Sequence, residues 1–337
     1  MMKIVKMVLL GLGCAVLYWT IRSVGTQGMM DTILGLGWQL VPLLAVYPFI
    51  FAFNTLGWIY SFPKNLPAET PFWDLYRIRI IGETLNAVVP WAASLGGEPV
   101  KVELLKSRHG IRSSEGYASI LIVHTTLWIS LNLFVIGALA VTFNTRPLTP
   151  VLWNSVLAFL AVLGLGAALL VIGLHFGIFQ NIHSLGENFK WWGKASSEKR
   201  SHFLKLDEEI KKFYTENRKS FYLSALYNFL AWLIGSIEVY WVARILGIPM
   251  SFTEAWLFEA LFQVLRIVTF FIPSSIGAQE GGIVLIFQQF GIGGSPALLF
   301  ALIRRLREIF WIAVGLLLWF FLEDRKKLKA STVQDPN

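Results

Sequence analysis

Long apolar runs separated by short polar segments dominate the pattern of this chain. Six runs are long enough for helices that cross a bilayer, each of which needs about 20 mostly apolar residues. They lie at about 4–21, 33–60, 117–143, 152–176, 219–246 and 298–322. The second run contains Pro42 and Pro48, so we expect a kink or tilt there. The pattern predicts an all-α polytopic membrane protein.

Two further apolar stretches are interrupted by proline, glycine and polar residues. One covers about 76–106 and is broken near 90–99, and the other covers about 254–290 and is broken near 273–282. Each arm is shorter than a typical spanning helix. We therefore predict two re-entrant helical hairpins that enter and leave the membrane on the same side. Two ordinary kinked helix pairs are the alternative.

Lysine and arginine predict the orientation, because they collect in cytoplasmic loops. The segments 61–79 and 100–116 are both basic, so the first hairpin should enter from the cytoplasm. The loop 177–218 holds eight basic residues and should lie on that side too. The loop 247–253 has none, so the second hairpin should enter from outside. We expect a bacterial inner-membrane protein with both termini in the cytoplasm.

Composition supports a membrane protein and excludes other classes. Residues of types AVILMFWYC make up 55% of the 337, charged residues only 15%, and the mean hydropathy is +0.59. A soluble chain of this size has too little core to hide that apolar surface. One cysteine excludes a disulfide scaffold. The net charge of +8 fits basic loops facing anionic lipid, so we expect membrane lipids and not nucleic acid as partners.

The two breaks predict an internal repeat. Residues 94–98 (SLGGE) resemble residues 275–280 (SIGAQE) with one insertion, and Gly110 and Gly291 follow at nearly the same distance. Inverted repeats built on broken helices are typical of transporters, with the binding site at the repeat interface. The predicted organisation is one membrane domain (1–325) containing repeat one (about 76–143), a cytoplasmic connector (177–218) and repeat two (about 254–322), followed by a basic tail (326–337).

Ionisable residues within the apolar stretches are the candidate site, since a charge inside a bilayer costs several kcal/mol unless it faces a cavity or a partner. Arg304 and Glu308 are four apart and can pair on one helix face. For Glu238, Glu259 and Arg266 a structural role and a functional role weigh nearly equally. We interpret His124 as a neutral, hydrogen-bonded side chain rather than a proton relay. The candidate substrate-binding residues are Glu83, Asn86, Glu98, Lys101, Arg266, Gln279, Glu280, Arg304, Arg307 and Glu308.

The hairpin breaks predict the chemistry of a ligand. Pro99 suits the first turn of a returning helix, whose free N–H groups and partial positive charge favour phosphate or carboxylate. Arginines in the last run offer bidentate contacts to phosphate. A phospholipid-like headgroup is therefore the predicted cargo. The chain has no Walker A, HExxH, paired-cysteine or serine-elbow pattern, so we expect no enzyme activity, cofactor or metal.

Both breaks resemble signatures of the lysylphosphatidylglycerol synthase transmembrane-region family, also described as flippase-like membrane proteins. The first signature is Asn86…Pro90…Gly96-Gly97-Glu98…Lys101…Leu105…Gly110, and the second is Phe270-Phe271-Ile272-Pro273…Gly277-Ala278-Gln279-Glu280-Gly281-Gly282 followed by Arg304-Arg305…Arg307-Glu308. The Gln-Glu-Gly and Arg-x-x-Arg-Glu forms are closest to a branch linked to hopanoid biosynthesis. The resemblance implies movement of polar lipids between leaflets. Bifunctional members add a soluble aminoacyl-transferase domain, which we do not expect here.

The leading hypothesis is a lipid flippase whose cargo headgroup passes through a polar groove between the hairpins. Glu98 and Glu280 would sit at the two tips, with Lys101, Arg304 and Arg307 pairing with the cargo charge. A proton- or ion-coupled transporter of a small solute would use the same carboxylates. A membrane scaffold for lipid-biosynthesis enzymes would instead dock them on the loop 177–218. We interpret that loop as a solvated helical connector.

Overall fold

The computed structural model describes most of the chain between residues 27 and 333. The gaps are 64–65, 68–69, 89–95, 146, 176–195, 270–274 and 276. The predicted first span at 4–21, residues 90–95 of the first predicted hairpin tip and residues 273, 274 and 276 of the second lie outside the described residues. Every regular element in the described part is a helix, which confirms the predicted all-α class.

The helices follow one another with short connections. In chain order they are α1 (Gln27–Leu36), a 3₁₀ turn (Gly37–Leu40), α2 (Val41–Ile59), α3 (Phe72–Val88), α4 (Glu98–His109), α5 (Ser113–Thr142), α6 (Pro150–His175), α7 (Ser196–Glu216), α8 (Arg218–Ile245), α9 (Phe252–Val268), α10 (Ala278–Gln289) and α11 (Gly294–Val333).

Within the described residues, four stretches of helix are long and apolar enough to cross a membrane. They are Ile33–Ile59, Ser113–Thr142, Pro150–Leu169 and Arg218–Ile245, and they match four of the six predicted runs. The predicted run 298–322 lies within α11, whose first half carries three arginines and Glu308. The chain is therefore an integral membrane protein, while the count of six spans stays a prediction.

The helical run that contains the two prolines is interrupted just before Pro42. A 3₁₀ turn separates α1 from α2, and Gly37 within it has φ of +47°, a value that glycine adopts without strain. Pro42 then occupies the first turn of α2, where its missing N–H costs no helical hydrogen bond. Pro48 lies inside α2, which continues past it. The kink or tilt expected from the prolines stays a prediction.

The two interrupted stretches form two helix pairs of equal size. The first pair is α3 and α4, with 17 and 12 residues, and the second is α9 and α10, also with 17 and 12. All four bounds of the second pair lie 180 residues after their counterparts (252 − 72, 268 − 88, 278 − 98 and 289 − 109). Gly110 follows the first pair and Gly291 the second, both with positive φ (66° and 75°).

The helix pairs exchange partners in their packing. The first helix of each pair packs on the long helix that follows the other pair, so that α3 contacts α11 and α9 contacts α5. Both contacts pass through a glycine: an added Cβ would lie 1.9 Å from Thr84 at Gly315 and 2.8 Å from Trp256 at Gly137. Small residues let membrane helices approach closely. The two halves of the chain are therefore interlocked.

The connector helix α7 packs against the body of the protein through one apolar face. Its residues Ile210 and Phe213 are fully buried in a cluster with Ala118 and Ile122 of α5. On its polar side Glu209 accepts a hydrogen bond of 2.9 Å from Arg112 Nη2. The segment is helical, as the sequence predicted, but it is a docked amphipathic helix rather than a fully solvated one.

Within the first pair, the start of α4 lies directly against the backbone of α3. A Cβ on Gly97 would lie 2.0 Å from the carbonyl oxygen of Gly82, and a Cβ on Gly82 would lie 1.9 Å from the Lys101 side chain. Gly97 has φ of −82° and ψ of −17°, which any residue adopts. The requirement for glycine at position 97 is therefore steric and not conformational.

We expect Gly97→Ala to destabilise the fold, because the new methyl group forces α3 and α4 apart. Overpacking of a tight contact costs about 1–3 kcal/mol, and thermal unfolding in detergent would show it as a lower Tm. Gly164→Ala is the matched control, since a Cβ there meets nothing within 4 Å. An unchanged Tm for Gly97→Ala would contradict the close approach.

Candidate functional site

The first helix pair encloses a buried network of charged side chains. Lys101 Nζ donates to Glu98 Oε1 at 2.9 Å and to Glu83 Oε1 at 3.0 Å. Arg79 Nε lies 3.2 Å from the same Glu83 oxygen. The side chains of Lys101 and Glu98 are only 2% and 8% exposed. One ammonium group thus joins α3 to α4 through two carboxylates.

Asn86 connects this network to the turn between the two helices. Its amide Nδ2 donates to Glu98 Oε1 at 3.0 Å, and its Oδ1 accepts from the Gly97 N–H at 2.7 Å. Glu98 itself is in the first turn of α4, where the partial positive charge of the helix favours a carboxylate. The protein's own side chains therefore occupy this helix start, at which the sequence predicted a ligand anion.

A second network occupies the equivalent place in the second pair. Arg305 Nε donates to Glu280 Oε1 at 2.7 Å, and Glu280 Oε2 accepts from the Gly277 N–H, also at 2.7 Å. Arg305 also donates to Glu308 Oε2 at 2.8 Å, and Arg266 donates to Glu308 Oε1 at 3.3 Å. Gln279 accepts a longer bond from Arg305 at 3.4 Å. Again a carboxylate in the first turn of the second helix is held by a cation.

A third network joins α11 to α8 and α9. Glu238 is buried between two arginines: Arg304 Nε lies 3.1 Å from it, and Arg307 donates a short hydrogen bond to it. Arg304 also lies 2.9 Å from Glu259, which accepts from Gln263 at 2.6 Å. The guanidinium of Arg307 stacks 4.1 Å from the ring centre of Tyr47, and that of Arg304 lies 5.1 Å from Phe262.

Each network contains two cations and two carboxylates. The pairs are Arg79 and Lys101 with Glu83 and Glu98, Arg266 and Arg305 with Glu280 and Glu308, and Arg304 and Arg307 with Glu238 and Glu259. Charge balance explains how so many ionised groups lie among apolar helices, because attraction between partners offsets their lost hydration. Within the described residues, no cluster of histidine, cysteine and acidic side chains could hold a metal ion.

The arginines of α11 retain hydrogen-bonding capacity that the carboxylates do not use. Nη1 of Arg304 and Nε of Arg307 are buried and have no hydrogen-bond partner within the described part of the chain. Both residues line a cavity of about 20 Å³, together with Arg266, Arg305 and Glu280. A cavity of this size holds about one water molecule. Buried unpaired donors beside an enclosed space are suited to bind an anion.

Comparison with protein-family models gives a match over most of the chain. The model described as "Lysylphosphatidylglycerol synthase TM region" matches residues 4–318. The chain belongs to this family. The match confirms the family that the motifs resemble, and it includes all three charged networks. This is a family of membrane proteins related to lipid handling.

Comparison with curated proteins and with solved structures finds no significant match. The family model does not separate the hopanoid-linked branch, so that assignment stays a prediction. In this member of the lysylphosphatidylglycerol synthase transmembrane-region family, the roles of individual residues are therefore argued from the geometry of the three networks.

One predicted pairing within the site is wrong. Arg304 and Glu308 do not pair with each other: Arg304 contacts Glu238 and Glu259, and Glu308 contacts Arg266 and Arg305. The i, i+4 spacing places two residues on one helix face, but α11 is surrounded by other helices that offer closer and more buried partners. All ten candidate residues lie in the networks, but divided among three groups.

The candidate set also missed two cations and left two carboxylates undecided. Arg79 lies four residues before Glu83, so the i, i+4 rule gives a signal for it. Arg305 lies three residues before Glu308, so the same rule gives a signal for that contact, but nothing local indicates its partner Glu280, which is 25 residues away. Glu238 and Glu259 turn out to hold Arg304 in place.

We expect Glu238→Gln to destabilise the fold strongly, because it leaves Arg307 buried without its carboxylate and weakens the hold on Arg304. Breaking a buried ion pair from one side costs about 3–5 kcal/mol, measured as loss of folded protein on heating in detergent. Glu216→Gln is the matched control: its side chain is 60% exposed and lies 3.8 Å from Lys212. An exposed pair contributes about 0–1 kcal/mol. Equal stability of the two variants would refute a structural role for the third network.

Proposed function

We propose that this protein moves a lipid with a polar, anionic headgroup between the two leaflets of the bacterial inner membrane. The observation that carries the proposal is the pair of unsatisfied guanidinium donors on Arg304 and Arg307, buried beside a cavity among apolar helices. The family's relation to lipid handling supports the same class of cargo. A phosphate oxygen is an acceptor that suits two such donors.

The ion pairs set the conditions for binding. Each cation proposed to meet the cargo, Lys101, Arg304 or Arg307, already has a carboxylate partner. A headgroup phosphate therefore binds by exchanging with a carboxylate and not by filling an empty charged site. Such an exchange keeps the number of ion pairs nearly constant. The free-energy barrier for moving the headgroup is therefore lower than for moving an unpaired phosphate through hydrocarbon.

The size of the cavity requires the protein to open. A volume of about 20 Å³ accepts a water molecule but no phosphate group. We infer that α3 and α9 move relative to α11 and α5, since these contacts pass through glycines. The headgroup would then cross between the two helix pairs while the acyl chains stay in the bilayer.

We expect the double variant Glu98→Gln and Glu280→Gln to slow lipid movement at least tenfold, because Lys101 loses a carboxylate with which the headgroup exchanges, and Arg305 loses the carboxylate that links it to the start of α10. The measurement follows a fluorescent phosphatidylglycerol in proteoliposomes by dithionite quenching of the outer leaflet. Glu208→Gln with Glu216→Gln, both on the exposed face of α7, is the matched control. Unchanged lipid movement in the first double variant would reject the assignment.

A second candidate function is ion-coupled transport of a small soluble solute through the same carboxylates. It predicts accumulation of an anionic solute inside proteoliposomes without exchange of labelled lipid between leaflets, which the same preparation can measure. A scaffold for lipid-biosynthesis enzymes is a third candidate; deleting 177–218 would then abolish enzyme recruitment. We propose no aminoacyl-transfer chemistry for the membrane part.

A further inference from the structure

A histidine faces the first network without belonging to its ion pairs. His124 lies midway along α5, and its Nε2 is 4.0 Å from Glu98 Oε1. The other ring nitrogen, Nδ1, is 2.8 Å from the backbone oxygen of Ile120. A carbonyl oxygen only accepts hydrogen bonds, so Nδ1 carries the hydrogen. In a neutral imidazole Nε2 is then an acceptor.

Two acceptors therefore lie 4.0 Å apart, one on a partly exposed histidine and one on a buried carboxylate. The Glu98 oxygen on that side, Oε1, accepts from Lys101 and Asn86, whereas the second oxygen, Oε2, is buried and has no hydrogen-bond donor within the described residues. A carboxylate with an unsatisfied buried oxygen favours a further donor beside it, which a neutral His124 cannot supply through Nε2. One proton bound to Nε2 makes His124 a cation with a donor group toward the Glu98 carboxylate.

We propose that His124 and Glu98 form a proton-binding site, and that one proton is taken up with each anionic headgroup that the protein moves. This inference rests on the proposed lipid transport. The proton comes from water on one side of the membrane, bonds to His124 Nε2 and returns to water on the other side. No other bond is made or broken.

The charges around His124 explain why proton and anion would bind together. Arg79 and Glu83 face it from α3, and Glu98 and Lys101 face it from α4. Two positive and two negative charges balance while His124 is neutral. Protonation leaves a net charge of +1, which is costly in a buried site and is neutralised by one negative charge on the cargo. Bound cargo in turn stabilises the proton.

The site is reachable from outside the helix bundle. The Glu83 side chain is 37% exposed and that of His124 is 29% exposed, whereas Lys101 is almost fully enclosed. The histidine thus has one face toward the carboxylates and another toward the surroundings. Asn86 joins Glu98 to the turn before α4, so a new hydrogen bond from His124 to Glu98 acts on a carboxylate that is linked to that turn.

The first test needs only the wild-type protein. Labelled phosphatidylglycerol is equilibrated in proteoliposomes with a pH gradient of one unit and the membrane potential held at zero. Coupling of one proton to each lipid shifts the steady-state ratio between leaflets by about tenfold. If labelled lipid moves but its final ratio between the leaflets does not depend on the pH gradient, the proton coupling is overturned and the proposed function stands.

The second test measures proton uptake directly. Short-chain phosphatidylglycerol is added to the purified protein in weakly buffered detergent with a pH-indicator dye. We expect uptake of about one proton per protein in the wild type, none in His124→Gln or Glu98→Gln, and normal uptake in His109→Gln. His109 lies at the other end of α4 beside Asp74 and serves as the matched control. Absence of uptake in the wild type would overturn the site even if no lipid movement were seen.

Discussion

Pairing of buried charges is the constraint on which the rest of this structure depends. Twelve ionised side chains lie in three networks among helices that are otherwise mostly apolar, and each network balances two cations against two carboxylates. None of these groups would tolerate burial alone. The helices that supply them must therefore assemble together, and α11 is central because it contributes to two of the networks.

The networks explain how the second helix of each pair is held at its start. In each pair the second helix begins with a carboxylate in its first turn, Glu98 or Glu280, and a backbone N–H just before that helix donates to an Asn86 or Glu280 side chain. The close contact between Gly97 and Gly82 brings the Lys101 ammonium within reach of α3. Steric fit and electrostatics thus act on the same few residues.

The sequence predicted features that depend on local chemistry. The interruptions, the returning helix with Pro99 in its first turn, the glycines after each pair and most of the ionised candidates all follow from residue type and spacing. The partners of those residues did not follow, because they are set by packing between distant segments. Arg307 and Glu238 are 69 residues apart, and nothing in their local sequence identifies one as the partner of the other.

The sequence did not predict that one face of α7 packs on α5, for a similar reason. Its many charges indicated a solvated helix, whereas Ile210 and Phe213 find an apolar surface on α5 that only the fold creates. The family match agrees with the motif resemblance, and its range includes both broken segments. What the structure adds is the grouping of the charges, and with it the distinction between arginines that are satisfied and those that are not.

The exchange of packing partners between α3 and α9 bears on how such a chain arose. A half-length chain with one helix pair and its long helix would leave the first helix without the surface that covers it in the full protein. Such a half would therefore need a second copy to cover its first helix. Because both halves are on one chain, each covers the other's first helix without the association of separate chains.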